Sequence, residues 1–96
     1  MYELRFTKAA EKYLRKIKEN GLKDAYRAAL NKIGSDPYIG ELKTGDLAGI
    51  YGYDLYYNKT NYELAYRIYE EDDKIVVVIL AGTRENFYNE LKRYMR

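Results

Sequence analysis

The stretch Tyr53-Asp54-Leu55-Tyr56-Tyr57-Asn58-Lys59-Thr60-Asn61-Tyr62-Glu63-Leu64-Ala65-Tyr66 decides how this chain folds. From Tyr51 to Tyr57 the residues alternate, with Tyr51, Tyr53, Leu55 and Tyr57 on one side and Gly52, Asp54 and Tyr56 on the other. The pattern resumes from Tyr62 to Tyr69, where Tyr62, Leu64, Tyr66 and Ile68 oppose Glu63, Ala65, Arg67 and Tyr69. Successive side chains of a strand point to opposite faces, so each run reads as a strand. The Asn58–Asn61 segment between them has turn chemistry. The two runs form an antiparallel hairpin. Its first face is apolar or aromatic throughout and has to lie under helices. Its second face carries Asp54, Tyr56, Glu63, Arg67 and Tyr69.

Downstream, the acidic turn Glu70–Asp73 leads into Lys74–Ala81, which is nearly all β-branched and reads as a central strand covered on both faces. After Gly82-Thr83, residues 84–95 form a closing helix with Phe87, Leu91 and Tyr94 on one side. Upstream, residues 38–50 hold Gly40, Gly45 and Gly49 and read as a loop. Before the loop, Tyr2–Phe6 alternates as a first strand, and Thr7 is a good N-cap. Ala10, Tyr13, Leu14 and Ile17 then recur at helical spacing over residues 8–19. Asn20-Gly21 ends that helix, with Gly21 at the left-handed C′ position. A second helix over residues 22–32 buries Leu22, Ala25, Tyr26, Ala29, Leu30 and Ile33, and Gly34-Ser35-Asp36-Pro37 stops it.

The element order is therefore β-α-α-β-β-β-α. The expectation is one α+β domain over residues 1–96. It has a four-stranded, mainly antiparallel sheet, a helical hairpin on one face, a C-terminal helix, and the other face partly open.

Composition narrows the chemistry. Among 96 residues there are 13 tyrosines, no cysteine and no histidine. Serine–histidine triads, thiol nucleophiles and zinc sites built on thiolate or imidazole are thereby excluded. The loop glycines are not followed by the Lys-Ser/Thr pair of a phosphate-binding loop, and no calcium-loop spacing occurs. No metal or cofactor is expected. The longest apolar run, Ile75–Ala81, is far short of a membrane span. The N-terminus has no apolar signal core, so the cytosol is the expected compartment. Charge is unevenly spread: residues 1–33 hold 9 Lys/Arg against 4 Asp/Glu, residues 34–83 hold 4 against 9, and residues 84–96 hold 4 against 2. The basic ends suit a nucleic acid or an acidic partner, or are simply solvated helix surface.

Three features together resemble the RelE/ParE superfamily of bacterial type II toxins. They are the opening strand with its basic helical hairpin, the hairpin 53–66, and the ending Ile-Val-Val-Val-Ile-Leu-Ala-Gly-Thr-Arg-Glu-Asn-Phe-Tyr at 75–88. The resemblance spans essentially the whole chain in element order. It implies a toxin silenced by a cognate antitoxin protein and acting in one of two ways. RelE-like members cut messenger RNA in the ribosomal A site; ParE-like members inhibit DNA gyrase. By position, Arg84 matches a catalytic arginine of the RelE-like branch, and Tyr88 lies near its C-terminal catalytic tyrosine. Where that branch has two lysines on the second strand and an arginine opening the third, this chain has Asp54, Tyr56 and Glu63. The favoured expectation is a metal-independent, ribosome-dependent endoribonuclease. A gyrase inhibitor or an inactive antitoxin-binding domain are the alternatives.

Cutting RNA without metal needs a base for the 2′-hydroxyl, cations for the phosphorane and an acid for the 5′-oxygen. Glu63 or Asp54 is the expected base, with Arg84 and Arg67 as bidentate phosphate donors. Tyr88 or Tyr56 would stack on a nucleobase or orient it. The competing reading of Glu63 and Arg67 is a surface pair on a solvated sheet. Lys8, Lys12, Arg15 and Lys16 of the first helix are the expected contacts to RNA phosphates.

Overall fold

The computed structural model describes residues 1–95. Strand β1 (Glu3–Phe6) leads into helices α1 (Lys8–Arg15) and α2 (Asn20–Ser35), followed by a short 3-10 turn at Pro37–Ile39. Strand β2 (Glu41–Leu42) and a second 3-10 turn (Gly45–Leu47) precede β3 (Tyr51–Tyr57), β4 (Thr60–Tyr69), β5 (Ile75–Thr83) and α3 (Phe87–Met95). The order across the sheet is β1-β5-β4-β3-β2.

The expected class holds, with two corrections. The sheet has five strands, because Glu41 and Leu42 of the supposed loop pair antiparallel with Gly52 and Tyr51. A two-residue strand has no alternation to display, so only its partner reveals it. The first strand pairs parallel, Glu3–Phe6 against Ile75–Val78, with the α1–α2 hairpin as the crossover that parallel neighbours require. That pairing makes β5 interior, as its β-branched run predicts.

The helix boundaries also move. Thr7 caps α1 as expected, accepting the Ala10 N–H at 3.1 Å. The helix nevertheless ends at Arg15, where Ile17 N–H donates to the Leu14 carbonyl at 3.3 Å and tightens the last turn. Ile17 turns into the core, 9% exposed. Gly21 is not a C′ residue. It sits in the first turn of α2, pressed so closely on the Tyr57 ring that a Cβ would collide with it. The β3–β4 turn is tighter than expected: Asn58 and Lys59, with φ of 49° and 64°, make a two-residue hairpin loop whose twist suits the flanking strands.

Leu64, Tyr66, Val76 and Val78 are fully buried with Tyr26, Ala29 and Ile33 of α2 and Ala10 of α1. Tyr51, Tyr53, Leu55 and Tyr57 pack at the rim of this cluster, so the apolar face of the hairpin is the helix-covered one. The second face is partly open, as expected: Asp54, Tyr56 and Tyr69 are exposed, whereas Glu63 and Ala65 are covered. Phe87 and Leu91 of α3 bury there with Leu47, Ile50, Ala65 and Ile79. Each such side chain contributes about 1.5–3 kcal/mol, enough to seat a short helix. A bulge makes this second core possible. Tyr66 pairs with Val78 but Ala65 with Leu80, so Ile79 is the extra residue and Ile79 and Leu80 both serve the second face.

Candidate functional site

The second face, where α3 meets β3 and β4, gathers most of the residues singled out by sequence. Asp54 and Glu63 are directly opposite in the β3–β4 ladder. Facing carboxylates repel, and the two separate. Asp54 turns outward toward the Arg84 guanidinium, 3.7 Å away, with both side chains well exposed. Glu63 turns inward and is 1% exposed. Its Oε1 accepts the Tyr88 hydroxyl at 2.6 Å, while its Oε2 has no partner.

Tyr88 is held from both sides. Its ring meets Phe87 edge-on at 5.1 Å. The Lys43 ammonium stands 4.7 Å from its centroid, a cation over an aromatic face. Burial, and then the charges of Asp54 and Glu41, push the Tyr88 hydroxyl up, with Arg84 opposing. It therefore remains a protonated donor at neutral pH. Lys43 is 22% exposed and pairs with Glu41 at 2.5 Å. That bond holds Glu41 below the usual carboxylate range.

Gly52 makes the cluster possible. A Cβ built there would lie 2.5 Å from the Tyr88 hydroxyl and 2.8 Å from Lys43 Cε. The missing side chain is the space in which lysine and tyrosine meet. Neither Lys43 nor Gly52 was found from sequence. Lys43 lies in a glycine-rich segment without periodicity, and only the short β2 brings it to the sheet. Arg84 is fixed by its backbone, whose N–H donates to the Asn61 carbonyl at 2.9 Å. Asn61 pairs with Tyr56, which is 65% exposed, so Tyr56 and Arg84 share one end of the sheet.

Two groups of the expected residues lie apart from this cluster. Arg67 does not join the cluster, nor does it pair with Glu63. Four residues along a strand separate them by about 13 Å, and the Arg67 guanidinium instead lies against Gly49, 3.2 Å from where a Cβ would stand. Lys8, Lys12 and Arg15 lie on α1 and Lys16 caps its C-terminus; α1 packs on the opposite face, so the sheet lies between them and the Arg84–Tyr88 cluster. Arg15 is already paired with Glu11 at 2.8 Å. No cluster of three or more potential metal-ligating His, Cys, Asp or Glu side chains occurs among the described residues.

A mixed sheet with a helical hairpin on one side, and cations, carboxylates and a tyrosine gathered beside a C-terminal helix on the other, defines a small α+β domain. The family model of the ParE-like toxin of type II bacterial toxin-antitoxin systems matches residues 4–92, and the chain belongs to that family, within the RelE/ParE superfamily. Among solved structures it is similar to an Escherichia coli RelE variant with two arginines replaced by alanine, in the free state. Identity is 23% over 95% of this chain and 92% of that one, with a TM-score of 0.71. The same variant in complex with an antitoxin RelB peptide is 25% identical over 94% and 93%, with a TM-score of 0.68. The toxin-antitoxin complex RelBE2 of Mycobacterium tuberculosis is 27% identical over 86% and 98%, with a TM-score of 0.66. A search of curated protein sequences gives no match.

Proposed function

We propose that this chain is a metal-independent endoribonuclease that cuts messenger RNA on the ribosome and is silenced by a cognate antitoxin. The observation that supports this most is the placement of two cations, Arg84 and Lys43, beside the Tyr88–Glu63 hydrogen bond on one side of the sheet. A phosphorane carries more negative charge than the diester it forms from, so cations held there act mainly in the transition state. Arg84 is exposed and loosely held by Asp54, free to exchange that partner for phosphate. Tyr56, exposed at the same end, offers a stacking face. Two of these similar structures are complexes with an antitoxin, which supports a protein partner of that kind here. The +5 charge of residues 1–33 suits an acidic segment of that partner. We read residues 1–96 as one domain working in the cytoplasm; no helix among the described residues is long and apolar enough to cross a membrane.

The deciding experiment is induced expression without antitoxin, following protein synthesis, transcript integrity and DNA supercoiling together. Early loss of translation with cleaved transcripts is expected. Early loss of supercoiling with intact transcripts overturns the nuclease reading in favour of gyrase inhibition, the activity of the ParE-like branch.

A further inference from the structure

Among the described residues, Glu63 Oε2 is the buried side-chain oxygen with no hydrogen-bond partner. At 1% exposure the carboxyl does not reach a bound RNA, so it is not the direct base expected from sequence. A carboxyl buried only for packing is poorly explained, since an apolar residue of similar volume fills such a site without the desolvation cost. Its one side-chain partner is the hydroxyl of Tyr88, a half-buried residue whose ring lies under the Lys43 ammonium.

We propose that Glu63 is a positioning residue that takes the 2′-hydroxyl proton through Tyr88. This deepens the nuclease reading and rests on it. As the 2′-O–H bond breaks, its proton joins Tyr88 Oη, and Tyr88 passes its own phenolic proton along the existing hydrogen bond to Glu63 Oε1. The electron pair left on the 2′-oxygen attacks phosphorus. The bond from phosphorus to the 5′-oxygen breaks, and that oxygen takes a proton from the Lys43 ammonium. Glu63 ends neutral and Lys43 uncharged, and exchange with water restores both. The raised pKa of Tyr88 accords with this: a hydroxyl that holds its proton needs an acceptor behind it.

The groups facing Glu63 are few. Asp54 lies opposite on β3, Tyr88 comes from α3, and Lys43 with its partner Glu41 comes from β2 and the residue after it. Arg84 approaches behind Asp54. Tyr26, from α2 across the sheet, reaches only the Glu63 backbone carbonyl, at 3.5 Å. No cation is within ion-pair distance of the Glu63 carboxyl among the described residues.

The test is single-turnover cleavage of messenger RNA on programmed ribosomes, from about pH 5 to about pH 9, where general-base titration is visible. Wild type, Glu63→Gln, Tyr88→Phe and the double variant are compared, with thermal melts run alongside. Glutamine still accepts the Tyr88 hydrogen bond but takes no proton. The expected result is a wild-type rate that rises through an acid limb, and a Glu63→Gln rate lower by about 10²–10⁴ with the limb gone and KM unchanged. The double variant is no worse than either single, as for residues acting as a unit. A Glu63→Gln enzyme with the wild-type rate, or a slow one that keeps the acid limb, overturns the relay and leaves the nuclease reading standing. A wild type without an acid limb overturns it even if the variants do not fold. A wild type that cuts no messenger RNA overturns both.

Discussion

Replacing Gly52 by alanine probes the whole cluster with one methyl group. Gly52 does not have a positive φ, so its backbone accepts alanine, and any effect comes from space. The new Cβ would meet the Tyr88 hydroxyl at 2.5 Å and Lys43 Cε at 2.8 Å, where ordinary contact begins at 3.4 Å. The hydroxyl has to retreat by about 1 Å, which stretches its 2.6 Å bond to Glu63 past the useful range. Glu63 is then left with neither oxygen paired, at a cost of about 1–3 kcal/mol. For a domain of this size each kcal/mol lowers Tm by roughly 4–8 °C, so a fall near 10 °C is expected. Cleavage on ribosomes falls by about 10²–10³ as the tyrosine leaves its acceptor. Gly45→Ala is the matched control. With φ at +65° and nothing within 4 Å, it costs about 1–2 kcal/mol of backbone strain and leaves the site alone. Gly45→Ala should therefore lower Tm and keep activity, whereas Gly52→Ala loses both. A Gly52→Ala protein with wild-type melting and wild-type growth arrest would show that Tyr88 and Lys43 do not meet over β3.

Three further outcomes are expected. Arg84→Ala removes an exposed transition-state donor and should lower cleavage by about 10²–10³ with an unchanged melting curve; full toxicity from a folded Arg84→Ala protein removes the main support for the nuclease reading. Lys43→Met keeps the bulk over the Tyr88 ring and removes the charge, so cleavage should drop while Tm changes little; equal activity would rule out Lys43 as the second cation. Burial pushes Tyr66 up to about 12, and its hydroxyl donates to the Pro37 carbonyl at 2.6 Å. A group whose pKa is raised by folding stabilises below its unfolded pKa, here about 10, and that contribution is lost as pH rises toward 12. Denaturant melts between these limits should show the loss, and Tyr66→Phe should shrink it; an unchanged pH dependence in that variant would locate the effect in another tyrosine.

The Tyr51–Tyr69 alternation was enough to place the hairpin and tell its two faces apart, because strand period and turn chemistry are local properties. The same holds for β5, whose β-branched run required cover on both sides, and for the Thr7 cap. Arg84 and Tyr88 were found through a family pattern, and the structure brings both to one cluster. Other features depend on partners distant in sequence. The strand Glu41–Leu42 exists because Gly52 and Tyr51 receive it, and Lys43 becomes a site residue only through that pairing. Gly21 looked like a helix end but serves close packing on Tyr57, which no local signal records.

Glu63 marks the boundary most sharply. Alternation correctly placed it on the polar face of the hairpin and made it a solvent-facing base or a partner for Arg67. Strand period fixes the face on which a residue lies, but not what covers that face. Phe87 and Leu91 bring α3 down over this part of the sheet, and burial then turns an exposed acid into an enclosed one whose side chain is hydrogen-bonded by Tyr88. The sequence by itself determined the longer elements, the facing of the hairpin and the membership of the fold, because backbone sterics and hydrophobic period act over a few residues. Only the tertiary structure decided which charges meet and which are shut away from water, because desolvation depends on neighbours distant in the chain, such as Tyr88, 25 residues from Glu63.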